Sequence, residues 1–222
     1  MQYSQYLLAS LFVTSSLLAS PSHAAQEDYQ LSANFGATSN YIWRGVSRSN
    51  NMAAASGGVD YNNKKGAYAG VWSSSMAGGD YELDFYGGYS GKTKSSKYDA
   101  GLIMYNYPGG SNYQDTTEAY LNMDFSVMTL QAALTLSKQG TSRPNDIYLS
   151  AATELELKKG LALTLLVGTY QFDDPAYESY FHARAAITKG EFSFALDKNN
   201  KSRPGNAGDI HFAASWSRAF DL

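Results

Sequence analysis

Six carboxylates share one phase of a two-residue alternation that runs through the chain: Glu82, Asp84, Glu118, Asp124, Glu154 and Glu156. Tyr120 and His182 fall on the same phase, as do two cations, Arg44 and Arg184. Acids in excess along one wall concentrate cations and repel anions, which is the chemistry of a weakly cation-selective pore. The same groups could instead bond to one another and fill an interior with a network of Tyr, Arg and Glu. Arg44 separates the two outcomes. At a pore mouth it is a selectivity charge, whereas paired with Glu82 or Asp84 it is structural glue. An unpaired charge in a narrow lumen is costly, which favours the pair.

Other chemistry is poorly served. Nucleophilic hydrolysis needs a serine, a histidine and an acid within hydrogen-bond reach. Asp209, His211 and Ser215 share the inward phase of the last alternating segment, and His182 lies inward on another. Residues four apart on a strand are roughly 13 Å apart, so His211 cannot serve Ser215. No catalytic residue is assigned. The pair Asp173-Asp174 has the composition of a solvated turn rather than a Ca²⁺ site, and neither a metal nor a cofactor is expected. Pro108-Gly109-Gly110-Ser111-Asn112 and Arg203-Pro204-Gly205-Asn206 precede no helix, so they have no phosphate-binding context and read as loop tips.

The elements that must carry these residues are strands. Met128 to Leu136 alternates apolar and polar positions, placing Leu130, Leu134 and Leu136 on one face and Gln131 and Thr135 on the other. The same rhythm predicts twelve strands: 29–46, 55–62, 66–74, 81–90, 97–107, 116–125, 128–137, 146–157, 161–172, 179–188, 191–198 and 209–220. Breaks after even-numbered strands are short, as at Asn63-Lys64-Lys65, Ser126-Val127, Lys158-Lys159-Gly160 and Lys189-Gly190. Those after odd-numbered strands are longer, at 47–54, 108–115, 138–145, 173–178 and 199–208; the one irregularity is a pair of similar six-residue breaks, 75–80 after the third strand and 91–96 after the fourth. An even strand count with short turns on one side and long loops on the other is the pattern of outer-membrane barrels.

Alternation alone fits a soluble β-sandwich as well as a membrane barrel. Three observations favour the barrel. Charges keep to turns and to the polar face. Apolar-face aromatics gather toward strand ends, at Tyr29, Tyr41, Trp43, Tyr89, Tyr98, Phe172 and Phe220, where a barrel carries its aromatic girdles. The chain closes on Ile210, Phe212, Ala214, Trp216, Phe220 and Leu222 in one phase, an ending suited to engage the barrel-assembly machinery. Arg218 shares that apolar face and must snorkel to the interface.

Composition agrees. The chain has eighteen Tyr, twenty Gly, no Cys and a net charge of −3, so disulfides are absent and no basic stripe invites nucleic acid. Leu7 to Leu18 is apolar but too short to cross a bilayer, and Ser20-Pro21-Ser22-His23-Ala24 follows as a small-residue cleavage pattern. Residues 1–24 are therefore expected to be a signal peptide, leaving 25–222 as one all-β domain, a transmembrane antiparallel barrel of about twelve strands in contact with outer-membrane lipid.

Ser39-Asn40-Tyr41-Ile42-Trp43-Arg44-Gly45-Val46-Ser47 resembles the N-terminal motif of the TorF porin family, the Gcw_chp domain. Gly66-Ala67-Tyr68-Ala69-Gly70-Val71-Trp72-Ser73-Ser74, Glu82-Leu83-Asp84-Phe85-Tyr86-Gly87-Gly88-Tyr89 and Tyr105-Asn106-Tyr107-Pro108 follow in the family's order. The resemblance implies an outer-membrane barrel acting as a channel and supplies no defined binding residues. The expected function is passive diffusion of small polar solutes or ions. A non-conducting barrel with a filled lumen is the first alternative, and a surface hydrolase or a secreted sandwich lies further off.

Overall fold

The computed structural model describes residues 29–109, 113–158, 160–201 and 210–222. The expected signal peptide, Asp209 and the segments Gly110 to Asn112 and Arg203 to Asn206 lie outside the described residues. Twelve strands close into an antiparallel barrel: β1 (Tyr29–Thr38), β4 (Ala54–Asn63), β5 (Ala67–Ser75), β6 (Tyr81–Lys92), β7 (Lys97–Asn106), β8 (Thr116–Asp124), β9 (Thr129–Lys138), β10 (Ile147–Lys158), β11 (Leu161–Gln171), β12 (Tyr180–Lys189), β13 (Phe192–Asn199) and β14 (Ile210–Asp221). Each strand pairs with its neighbour along the chain, and β1 pairs with β14 from Ser32↔Asp221 to Thr38↔Ser215, which removes both sheet edges. Turns at one end are short (64–66, 93–96, 125–128, 190–191), and those at the other run up to 39–53. The two breaks of equal expected length resolve into a tight turn, 93–96, and a slightly longer loop, 76–80.

The apolar face points outward. Leu102, Leu149, Val167 and Phe212 are half to two-thirds exposed, whereas Glu118, Tyr120 and Asn122 are buried inside. On β9, Leu130 and Leu134 face out while Gln131 and Thr135 face in. A water-soluble fold would hide this apolar belt; a barrel in lipid exposes it and keeps its polar groups within. Arg218 stands on the outer face at the short-turn end, 3.5 Å from Glu191 and over the ring of Phe220.

One expected strand is overturned. The span 29–46 does not continue as a wall strand. β1 stops at Thr38, whose hydroxyl donates to the carbonyl of Asn40, and the chain folds into the barrel. There it forms a small hairpin of β2 (Ile42–Trp43) and β3 (Val46–Ser47). Its two-residue tip, Arg44-Gly45, has φ of 48° and 76°, the positive values that a type I′ turn requires. Tyr41 and Trp43 therefore do not belong to an outer aromatic girdle. Tyr41 is 5% exposed, and Trp43 packs edge-on against the inward rings of Tyr105 and Tyr170. Phe172 likewise leaves the girdle, lying against Tyr170 and Tyr180 at the mouth. The alternation of 39–46 was genuine, but it belongs to a hairpin with rings on every side.

Candidate functional site

The hairpin reaches the centre of the lumen's loop-end half, and its tip decides what the lumen contains. A side chain at Gly45 is barred twice, by its φ of 76° and by His182, whose Cβ would lie 2.5 Å from the added carbon. Asn199 donates its amide to the Gly45 carbonyl at 2.6 Å, and the Tyr180 hydroxyl donates to the Arg44 carbonyl at 3.0 Å. The strained tip is thus tied to β12 and β13 across the barrel.

Arg44 is buried and forms a two-pronged pair with Glu118: Nη1 donates to Oε1 at 2.9 Å and Nη2 to Oε2 at 2.7 Å. The expected partners were Glu82 or Asp84; the hairpin's inward course carries the guanidinium past them to β8. Three rings surround it, Trp43 at 4.3 Å, Tyr148 at 4.2 Å and Tyr170 at 5.0 Å. Burial alone would lower its pKa, but Glu118 outweighs that and raises it, so the charge is held. Glu118 also accepts from the hydroxyls of Thr135, at 3.4 Å, and Tyr105, at 3.5 Å.

Glu82 accepts from the Tyr41 hydroxyl at 2.6 Å and lies in the field of Arg48. Burial first, and the Glu82 charge second, raise the pKa of Tyr41 well above that of a free phenol, so it remains the donor. Arg48 lies over Trp43 and Tyr113, at 4.2 and 4.4 Å from their centroids. Asp84 is 4% exposed, and one of its oxygens has no protein partner. His182 meets the Tyr148 hydroxyl at 3.0 Å through Nε2 while Nδ1 has no partner. Arg184 donates through Nε to both oxygens of Asp197 at 2.9 Å.

The short-turn half is different. Tyr120 meets Tyr68, which donates to Asp99, and Asn122 donates to the other Asp99 oxygen at 3.3 Å. Asp124 is half-buried, 3.7 Å from Lys97 Nζ. Glu154 and Glu156 keep the luminal phase but are exposed; Glu154 accepts from Thr164 at 3.5 Å. The ten expected residues therefore form no single cluster. Arg44, Glu82, Asp84, Glu118 and His182 surround the hairpin, with Arg184 and its partner Asp197 beside them on β12 and β13. Tyr120 and Asp124 lie nearer the short turns, and Glu154 and Glu156 line that open end.

Several participants escaped the sequence. Asp60, which accepts from Asn34 at 3.1 Å and from the Tyr86 hydroxyl, has the inward phase, as do Asp99 and Asp197, and all three could have been found by it. Tyr41, Arg48 and Asn199 could not, because their roles depend on the hairpin. The residues weighed against hydrolysis have other partners: Ser215 donates to Thr38 at 2.9 Å, and His211 bonds Asn51 at 2.9 Å through Nδ1. Among the described residues no group of three or more His, Asp or Glu could hold a metal ion.

No curated protein matches the chain. Among solved structures, the KdgM porin superposes with a TM-score of 0.56 at 6% identity, covering 86% of this chain and 99% of that one. The KdgM porin in complex with disordered oligogalacturonate gives 0.52 at 5% identity, with 87% and 99% covered. A chain from work on the in-meso crystallization of membrane proteins gives 0.57 at 8% identity, with 87% and 84% covered. At such identities the likeness is one of fold, a closed barrel of the porin kind. The sequence itself matches, over residues 22–195, the family described as "Bacterial protein of unknown function (Gcw_chp)". With most of its length matched, the chain belongs to the Gcw_chp family.

Proposed function

We propose that this protein is an outer-membrane channel through which small polar solutes or ions diffuse passively, with the inward hairpin as its constriction and a weak preference for cations. The observation that carries the proposal is the uneven pairing of luminal charge. Arg44, Arg184 and Lys138 are matched by Glu118, Asp197 and Asp146, whereas Glu154 and Glu156 stand exposed on the luminal phase. In the loop-end half a passing ion therefore meets cations already neutralised; near the short turns it meets Glu154 and Glu156, which solvent can reach, together with the luminal Lys92 and Lys97, so field focusing within a low-dielectric wall favours positive charge only weakly. An excess of acid is ill suited to a polyanion, so the oligogalacturonate held by the KdgM porin is not carried over to this chain.

The location rests on the outward apolar belt, the porin-type fold and the export signal expected at residues 1–24. The long loops then face outside and the short turns face the periplasm. The last strand, with Trp216, Phe220 and Leu222 on its outer face, is the segment offered to the barrel-assembly machinery. The dispersal of Ser215 and His211 supports a channel rather than a hydrolase.

Conductance decides between this reading and a filled, non-conducting barrel, which the dense packing around Arg44 favours. Purified protein in a planar lipid bilayer should give stepwise conductance with a reversal potential displaced toward the cation side in a salt gradient. A silent bilayer, from protein whose unboiled and boiled forms migrate differently in a detergent gel, would leave the filled barrel. Recovery in the soluble periplasm would remove the membrane reading altogether.

A further inference from the structure

Asp84 stands between the two rings on which the inward hairpin rests. Its cross-strand neighbours are Trp72 on β5 and Tyr105 on β7. Trp72 meets the ring of Tyr41 edge-on, 5.8 Å between centroids, and Tyr105 meets that of Trp43 at 5.9 Å. The Asp84 carboxylate is 4% exposed, and one of its oxygens is sealed from solvent without a protein partner. Its acidic counterparts around the hairpin are engaged: Glu118 by Arg44, Glu82 by the Tyr41 hydroxyl and Asp197 by Arg184.

The surroundings of Asp84 do not offset a negative charge. Glu82 on its own strand and Glu118 on β8 face it as like charges, and Arg48, from the segment 39–53, is the cation opposite. Arg48 also lies in the field of Glu82, held over Trp43 and Tyr113. The other titratable neighbours are the phenols of Tyr41, Tyr86, Tyr105 and Tyr107, which carry no charge below about pH 10. Three carboxylates thus share two guanidiniums, and Arg44 spends both prongs on Glu118. A metal ion is poorly served as the remedy, since among the described residues no group of three or more His, Asp or Glu could hold one. A buried acid in this position is neutralised rather than left charged, and a proton needs no extra room. We propose that Asp84 is a proton-binding site that clamps the hairpin. Protonated, it lets Trp72 and Tyr105 close on Tyr41 and Trp43; ionised, it sets a third carboxylate beside Glu82 and Glu118, and the hairpin lifts from its seat. Seating the hairpin therefore takes up one proton, so acid favours the seated form. Raising the pH shifts the ratio of unseated to seated barrels by up to about tenfold per unit, the limit for one proton. That unseating widens a conducting path rests on the channel reading above; the proton site does not.

Acrylamide quenching of tryptophan fluorescence reads the seating without any need for conduction. Two of the three tryptophans, Trp43 and Trp72, lie in the cluster beneath the hairpin, and the third, Trp216, is replaced by Phe as the common background. The folded barrel in detergent is titrated from about pH 4, where a free carboxylate is half ionised, to about pH 9, the upper range for a buried one. One transition should appear, with quenching rising as the pH rises. Asp84→Asn, of the same shape, should stay seated throughout and lose the transition. Arg48→Gln, which removes the shared cation, should move it to higher pH, and Asp99→Asn, near the short turns, should leave it in place. Heat-modifiable migration certifies that each variant is folded. A wild type without a transition, a transition that persists in Asp84→Asn, or one that vanishes in Asp99→Asn would overturn the site. In a planar bilayer the same transition should raise conductance. A barrel that shows the quenching transition yet conducts at no pH keeps the proton site and loses the channel.

Discussion

The two halves of the lumen are built by opposite means. Near the long loops, Glu82, Glu118, Asp197 and Asn199 are each about 1% exposed and every cation has rings or carboxylates against it. Near the short turns, Glu154 and Glu156 project into solvent from the same side of the wall. The wall is alike in both, strand for strand, so the difference comes from the segment 39–53 folded into one half and absent from the other. A barrel of twelve strands lies between sizes that side chains can fill and sizes that remain open. Here a loop, and not the strand count, sets the local bore.

The contrast can be broken most directly by removing what creates it. Deleting residues 41–48 and bridging the gap with glycines should raise single-channel conductance several-fold; an unchanged value would show that the hairpin does not lie in the conducting path. Glu118→Gln comes next. It leaves Arg44 buried without its counter-charge, a loss of ~3–5 kcal/mol for a buried pair. We expect a lower temperature for the gel-mobility transition together with noisier, larger conductance, and normal melting would mean that the pair is dispensable. Gly45→Ala should cost ~1–3 kcal/mol, through the positive φ and the contact with His182, read as the same melting shift.

Tyr41→Phe removes only the 2.6 Å donor from Glu82 and should cost ~1–3 kcal/mol, the penalty of an unmade bond at a buried acceptor. The smallest effect on stability sharpens the comparison from the other side. Glu154→Gln with Glu156→Gln should change melting by less than ~0.5 kcal/mol, as surface substitutions do, yet move the reversal potential toward zero. A large stability loss without a shift in potential would place these two residues in the packing and not in the path.

Much of the wall was legible in the sequence. Period-two patterning identifies which residues of β8, β10 and β12 face lipid, because one face of each carries nearly all the polar atoms. The length of each connection fixes the direction of the strands. The interior was legible only in part. Phase places Glu82 and Glu118 inside but says nothing about what meets them, since side chains from distant strands and from a loop converge there. Trp43 shows why: an aromatic at a strand end and an aromatic in a lumen-filling hairpin have the same local pattern. Only Arg44-Gly45, a pair suited to positive φ, marks the turn, and within a long alternating run that signal is weak. Glu154 and Glu156 teach the converse, because phase cannot distinguish an open end from a packed centre.

The β1–β14 seam carries a consequence in time. The hairpin follows β1 almost immediately along the chain, yet its anchors at Tyr180 and Asn199 are 136 and 154 residues further on. The wall closes last, when Leu222 donates its backbone N–H to the Leu31 carbonyl at 2.9 Å beside the final pair, Ser32↔Asp221. Once that seam has joined, the wall leaves no lateral way in, and the hairpin's one route to the lumen is the loop-end mouth. In either order the early hairpin waits, unsatisfied, for the strands made last, since its anchors lie on β12 and β13.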